Sequence, residues 1–112
     1  MKVILHVDEE GKLEVALGNI KNLLNLNKNI TIELLINGKS VVNLKEDYAK
    51  KHGIINELND VFNKGVIIAV CNNSINKFNI DKNELLNFVK VVPAGIMELI
   101  EKQNEGFAYV KP

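Results

Sequence analysis

The 112-residue chain has a single cysteine, Cys71. One thiol cannot close an internal disulfide, which suits a reducing, cytosolic setting. The chain also lacks net charge, with 14 Lys plus Arg against 14 Asp plus Glu. A nucleic-acid binder needs a basic face to displace counterions, so nucleic acid is not an expected partner. No apolar run approaches the ~20 residues of a membrane span. The apolar start, residues 1–7, is too short for a signal peptide and runs straight into Asp8, Glu9 and Glu10. The expected location is therefore the cytoplasm, with no membrane partner. There is no G-x-G-x-x-G, no P-loop and no G-x-S-x-G elbow, so dinucleotide, nucleoside-triphosphate and serine-hydrolase chemistry have no support. Two distant histidines and one cysteine offer no ligand spacing, so neither a metal nor another cofactor is expected.

Enough apolar residue is present, 46%, to build a core. The length fits one domain over residues 1–112. It is short for a doubly wound sheet, and a lone copy would leave apolar surface uncovered. Self-association would cover that surface and would make a neutral charge tolerable.

Residues 2–7 read as a first strand. Leu13, Ala16, Leu17, Ile20, Leu23 and Leu24 form one apolar helical stripe. Residues 30–36 read as a second strand, closed by the turn signal Asn37-Gly38. Residues 39–52 are ambiguous between a short strand, a helical turn and a loop. They are either a solvated surface or a mobile cover whose Lys39, Lys45, Lys50 and Lys51 act on a nearby thiol. Ile54, Ile55, Leu58, Val61 and Phe62 mark a second amphipathic helix, which stops at Lys64-Gly65. The unbroken apolar run 66–70 reads as a strand buried on both faces. Asp81, with Glu84 three residues on and Ile80 and Leu85 at staple positions, predicts a helix start. Strands at 89–92 and 107–110 flank a last helix over 93–104. Strands alternating with helices predict a mostly parallel five-stranded sheet with helices on both faces, an α/β/α three-layer fold.

In a parallel sheet the carboxyl ends of the strands share one edge, where open α/β sheets place ligands. Cys71 ends the third strand there. It is either a packed small hydrophobe or a nucleophile. Asn37 and Gly38, at the end of the second strand, fall on the same edge. Asn72, Asn73 and Ser74 follow Cys71 and either form a turn or orient a ligand, with their N–H groups able to face an anion. His6 ends the first strand and reads as a satisfied core histidine. Ile96, Phe107 and Tyr109 are candidates for either interface or core.

Over nearly its whole length the chain resembles the DsrE/DsrF-like proteins. The resemblance runs through Ala16 to Leu24, Ile32 to Gly38, and Gly65 to Ile75. It is most specific at Val91-Val92-Pro93-Ala94-Gly95-Ile96, Glu98-Leu99-Ile100, Gln103 and Glu105 to Pro112. It implies a single DsrE-like domain with a three-layer fold, assembled as a trimer or hexamer. It also implies sulfane sulfur carried on Cys71 and exchanged with donor and acceptor proteins. Many relatives carry histidine where this chain has Asn37, so a helper imidazole at that position is not expected. With no second thiol, any sulfur must pass between molecules. The expected function is a sulfur relay with Cys71 as the persulfide carrier. The alternative is a non-enzymatic oligomeric module that binds a small ligand or serves assembly, with Cys71 only lining its cleft.

Overall fold

The computed structural model describes all residues, 1–112. Five strands form one sheet: β1 (Lys2–Val7), β2 (Thr31–Ile36), β3 (Ile67–Cys71), β4 (Lys90–Val92) and β5 (Ala108–Val110). Their order is β4-β3-β2-β1-β5 and every pairing is parallel. Five α-helices accompany them: α1 (Lys12–Leu26), α2 (Glu46–Lys51), α3 (Ile55–Asn63), α4 (Asn72–Lys77) and α5 (Gly95–Asn104). The three-layer α/β/α architecture with a parallel five-stranded sheet is thus present.

The two helical layers are unequal, and topology explains why. The chain steps outward from β1 through β2 and β3 to β4, then returns to the far side of β1 as β5. Right-handed crossovers taken in one direction place their helices on one face, and the return places its helix on the other. One face therefore carries a core of 24 buried residues, including Leu5, Leu17, Ile20, Leu34, Leu58 and Ile68. The other has a cluster of only six: Ile4, Leu35, Ala69, Val92, Leu99 and Phe107. Its one covering helix is α5, whose outward side exposes Ile96, Met97 and Ile100. Phe107 is core, while Tyr109 on the edge strand is exposed.

Two local expectations are corrected. Residues 72–74 do not form a turn, because β3 runs directly into α4 with no intervening loop. The predicted helix start at Asp81 has both bonds of a capping box, yet it opens a single 3-10 turn, Lys82–Glu84. Beyond it the chain is drawn extended by tertiary contacts: Leu85 bridges Lys45, and Leu86 N–H donates to the Leu44 carbonyl at 2.9 Å. Residues 39–52 are neither loose nor wholly solvated. Gly38–Leu44 is a 3-10 helix leading into α2, and Ser40, Val41, Leu44 and Ala49 are fully buried.

The thin face also encloses an unusual polar group. Glu33, in the middle of β2, is fully buried, and no N–H or hydroxyl group donates to either carboxyl oxygen; its hydrogen-bonding neighbour is the Glu98 carboxyl, to which a protonated Glu33 donates. Burial, and then the neighbouring Glu98 carboxyl on α5, push its pKa up to about 8, against the pull of Lys102 and Lys90. Glu33 therefore keeps its proton in the folded chain at neutral pH, because a buried carboxylate beside a second carboxyl is costly.

Candidate functional site

Side chains alternate across a strand, so residues two apart share a face. Counting back from the ends of β1, β2 and β3, His6, Asn37 and Cys71 all fall on the thin face with Ile4, Leu35 and Ala69. They meet at the carboxyl edge of the sheet, where the first turn of α5 arrives. The expected strand-edge placement of Cys71 with Asn37 and Gly38 is therefore what the chain adopts.

Cys71 occupies the residue before α4, and 5% of its surface is exposed. The Gly95 N–H, at the start of α5, donates to Sγ at 3.2 Å. Burial pushes the thiol pKa up, but four donors act against it: the Ser74 hydroxyl and the backbone N–H groups of Ser74, Gly95 and Asn73. Together they prevail, and the pKa lies below the ordinary cysteine value. Ser74 is itself held, because its Oγ accepts from the Gly38 N–H at 2.9 Å. That bond uses an Oγ lone pair and leaves the hydroxyl proton for sulfur. This lowering comes from Ser74, Gly95 and Asn73 rather than from a lysine. Of the lysines in residues 39–52, Lys45 pairs with Glu84 at 3.2 Å and Lys50 with Glu46 at 2.9 Å.

Asn37 also lies against Gly95. A Cβ built on Gly95 would stand 3.1 Å from Asn37 Nδ2 and 3.5 Å from Cys71 Cβ, so the missing side chain is the gap between them. Asn37 Oδ1 lies 2.9 Å from His6 Nε2, and His6 Nδ1 lies 2.8 Å from the Tyr109 hydroxyl. His6 is thus a satisfied, largely buried histidine, and its partners come from β5 and the end of β2. Asn72 keeps its Oδ1 buried without a partner. Nearby, Lys111 pairs with Asp8 at 2.7 Å, which lowers the Asp8 pKa and raises that of Lys111.

The strand-end positions of Asn37, Gly38, Asn72, Asn73 and Ser74 follow from the sequence pattern, whereas the contacts of Gly95 and Tyr109 do not. Gly95 acts through its backbone, and Tyr109 reaches His6 across 103 positions. Taken together, every polar group assigned to the sulfur is a donor, so the site favours thiolate over thiol. No group of three or more His, Cys, Asp and Glu side chains is arranged to hold a metal ion. No helix is long and apolar enough to cross a membrane.

Comparison with known proteins agrees with the fold. Residues 2–112 match the DsrE/DsrF-like family. No curated protein matches the chain. Among solved structures, a protein of unknown function from Methanobacterium thermoautotrophicum, MTH1491, superposes with a TM-score of 0.89 at 26% identity, covering 99% of this chain and 98% of that one. A conserved protein of unknown function from Bacteroides thetaiotaomicron, BT1422, shares the fold with a TM-score of 0.74 at 19% identity, over 99% of this chain and 94% of that one.

Proposed function

The chain belongs to the DsrE/DsrF-like family, and from that premise we propose that it is a sulfur-relay protein whose Cys71 carries sulfane sulfur as a persulfide. The observation that carries this reading is the set of donors converging on Sγ, which holds the thiol pKa low despite burial. The Cys71 thiolate attacks the outer sulfur of a donor persulfide, R–S–SH. One S–S bond forms on Cys71 as the donor's own S–S bond breaks, and the donor leaves as R–S⁻. A partner thiolate then takes the outer sulfur in the same way and regenerates the Cys71 thiolate. Neither step changes the overall oxidation level, and no second thiol or organic cofactor is needed. A lone cysteine of this kind works in a reducing compartment, the cytoplasm.

Incubation with a polysulfide donor, followed by intact-mass measurement, tests the assignment. The expected outcome is a +32 Da adduct on the native chain and none on Cys71→Ser. An adduct of equal yield on the variant would overturn it.

The burial of Cys71 favours a second reading, a non-enzymatic small-ligand-binding or assembly module of the same fold. Resistance of the folded protein to a small alkylating reagent would favour that module over the relay.

We also propose that the single 1–112 domain works as a homo-oligomer, a trimer or hexamer. The exposed Ile96, Met97 and Ile100 on α5, the one helix over the thin face, support this. Burial of such side chains is worth roughly 1.5–3 kcal/mol each. Light scattering is expected to give a multiple of the 12.5 kDa chain mass, falling to the monomer in Ile100→Lys. A monomeric wild type at micromolar concentration would refute the assembly.

A further inference from the structure

Helix α5 is lightly held. Of its ten residues only Gly95, Glu98 and Leu99 are buried, and Gly95 has no side chain. Its grip on the sheet is therefore Leu99, in the six-residue cluster, and Glu98, which meets Glu33 of β2. Glu33 is 0% exposed and Glu98 7%. No N–H or hydroxyl group reaches either oxygen of Glu33 or Oε2 of Glu98. Two carboxylates in that place repel with no donor to bridge them, whereas a single proton lets Glu33 donate to Glu98. The surrounding charges do not replace that proton. Lys102 on α5 and Lys90 on β4 favour ionisation of Glu33 but are outweighed by burial and by Glu98. Lys102 Nζ lies 3.5 Å from the Glu105 carboxylate, and Lys2 Nζ, from β1, donates to the Glu105 carbonyl at 3.2 Å. His6, further along β1, is taken by Asn37 and Tyr109, and β3 places the apolar Ile67 beside Glu33.

We propose that the proton between Glu33 and Glu98 is a latch that seats α5 on the sheet, and that its loss lets α5 lift locally and carry the Gly95 N–H away from Cys71. While α5 is seated, Glu33 keeps its proton up to about pH 8; once α5 lifts, water reaches the carboxyl and its pKa falls toward the ordinary 4.5. The seated state binds more protons throughout that window, so lifting becomes easier as pH rises and levels off beyond it. Each opening strips from Sγ the donor that stands at 3.2 Å. A second copy seated on Ile96, Met97 and Ile100 raises the cost of lifting at every pH and leaves the pH slope unchanged. The latch stands whether or not Cys71 carries sulfur.

Hydrogen exchange of the full chain, read by mass spectrometry from pH 5 to 9 and corrected for the intrinsic pH dependence of exchange, tests the latch. Amides of α5 are expected to exchange ahead of those of β2 and β3. Their opening constant should rise by up to about tenfold per pH unit below pH 8 and flatten above it. Glu33→Gln keeps a donor to Glu98 with no proton to lose, so its α5 slope should be flat. Glu98→Gln offers its amide to an ionised Glu33 and should flatten the slope as well. Amides of α5 as well protected as those of β2, a flat wild type, or a slope that survives both substitutions would each overturn the latch. None of these outcomes bears on the +32 Da adduct, so the relay stands or falls separately.

Discussion

Raising the pH from 5 to 8 is expected to destabilise the folded chain, by at most roughly 3 kcal/mol, and Glu33→Gln is expected to remove most of that slope. Glu33 has a folded pKa of about 8 against an ordinary value of 4.5. Between those two values the folded state keeps a proton that the unfolded chain gives up. Stability falls with rising pH wherever the folded state binds more protons. One pKa unit is worth about 1.4 kcal/mol, and the coupling to Glu98 makes the total an upper figure. A glutamine amide at this position carries no proton to lose, so the Glu33→Gln variant should overtake the wild type near pH 8. Urea denaturation midpoints at pH 5, 6, 7 and 8, with unchanged m-values, provide the measurement. A wild-type midpoint that is flat or rises over this window would disprove a protonated Glu33.

Gly38→Val is expected to damage fold and site together. Gly38 has φ +62°, a conformation that glycine adopts freely and a β-branched residue does not. Its Cβ would also stand 3.0 Å from the Asp8 carbonyl oxygen, a backbone atom that cannot swing away. The two effects together should cost roughly 3 kcal/mol. The functional consequence follows from the Gly38 N–H, which holds Ser74 Oγ at 2.9 Å. Once that turn shifts, the Ser74 hydroxyl no longer serves Cys71 and the thiol pKa rises. Denaturation gives the first quantity, and the pH dependence of alkylation gives the second. A variant with native stability and a native thiol pKa would contradict the geometry of this corner.

The central strands and the placement of Cys71 were legible because burial on both faces leaves a plain mark, an unbroken run such as 66–70. The stripe Leu13 to Leu24 was equally plain, since α1 has length enough for several turns. By contrast, α4 has only six residues, and Ile75 is its one fully buried side chain. A helix that short has no periodicity to read. The capping box at Asp81 was a true local signal overruled by the need to carry Leu85 and Leu86 extended toward β4. Glu33 lay inside an ordinary strand pattern, and its burial depends on α5, placed by topology rather than by neighbours in sequence. His6 read correctly as a satisfied histidine. Its partners Asn37 and Tyr109, 31 and 103 positions away, were beyond any local rule.

The short edge strand β5 bears on motion. Its three residues are all exposed, and they pair with β1 across most of the chain length. Little buried surface holds so short a strand to the sheet. Amide hydrogens of β5 are therefore expected to exchange with solvent through a small local opening, well before those of the buried strands β2 and β3. Each such opening frees Tyr109 from His6 and leaves Gly95 and Ser74 in place around Cys71. The groups that lower the thiol pKa, on Gly95, Ser74 and Asn73, lie outside β5, so that lowering does not depend on the strand staying closed.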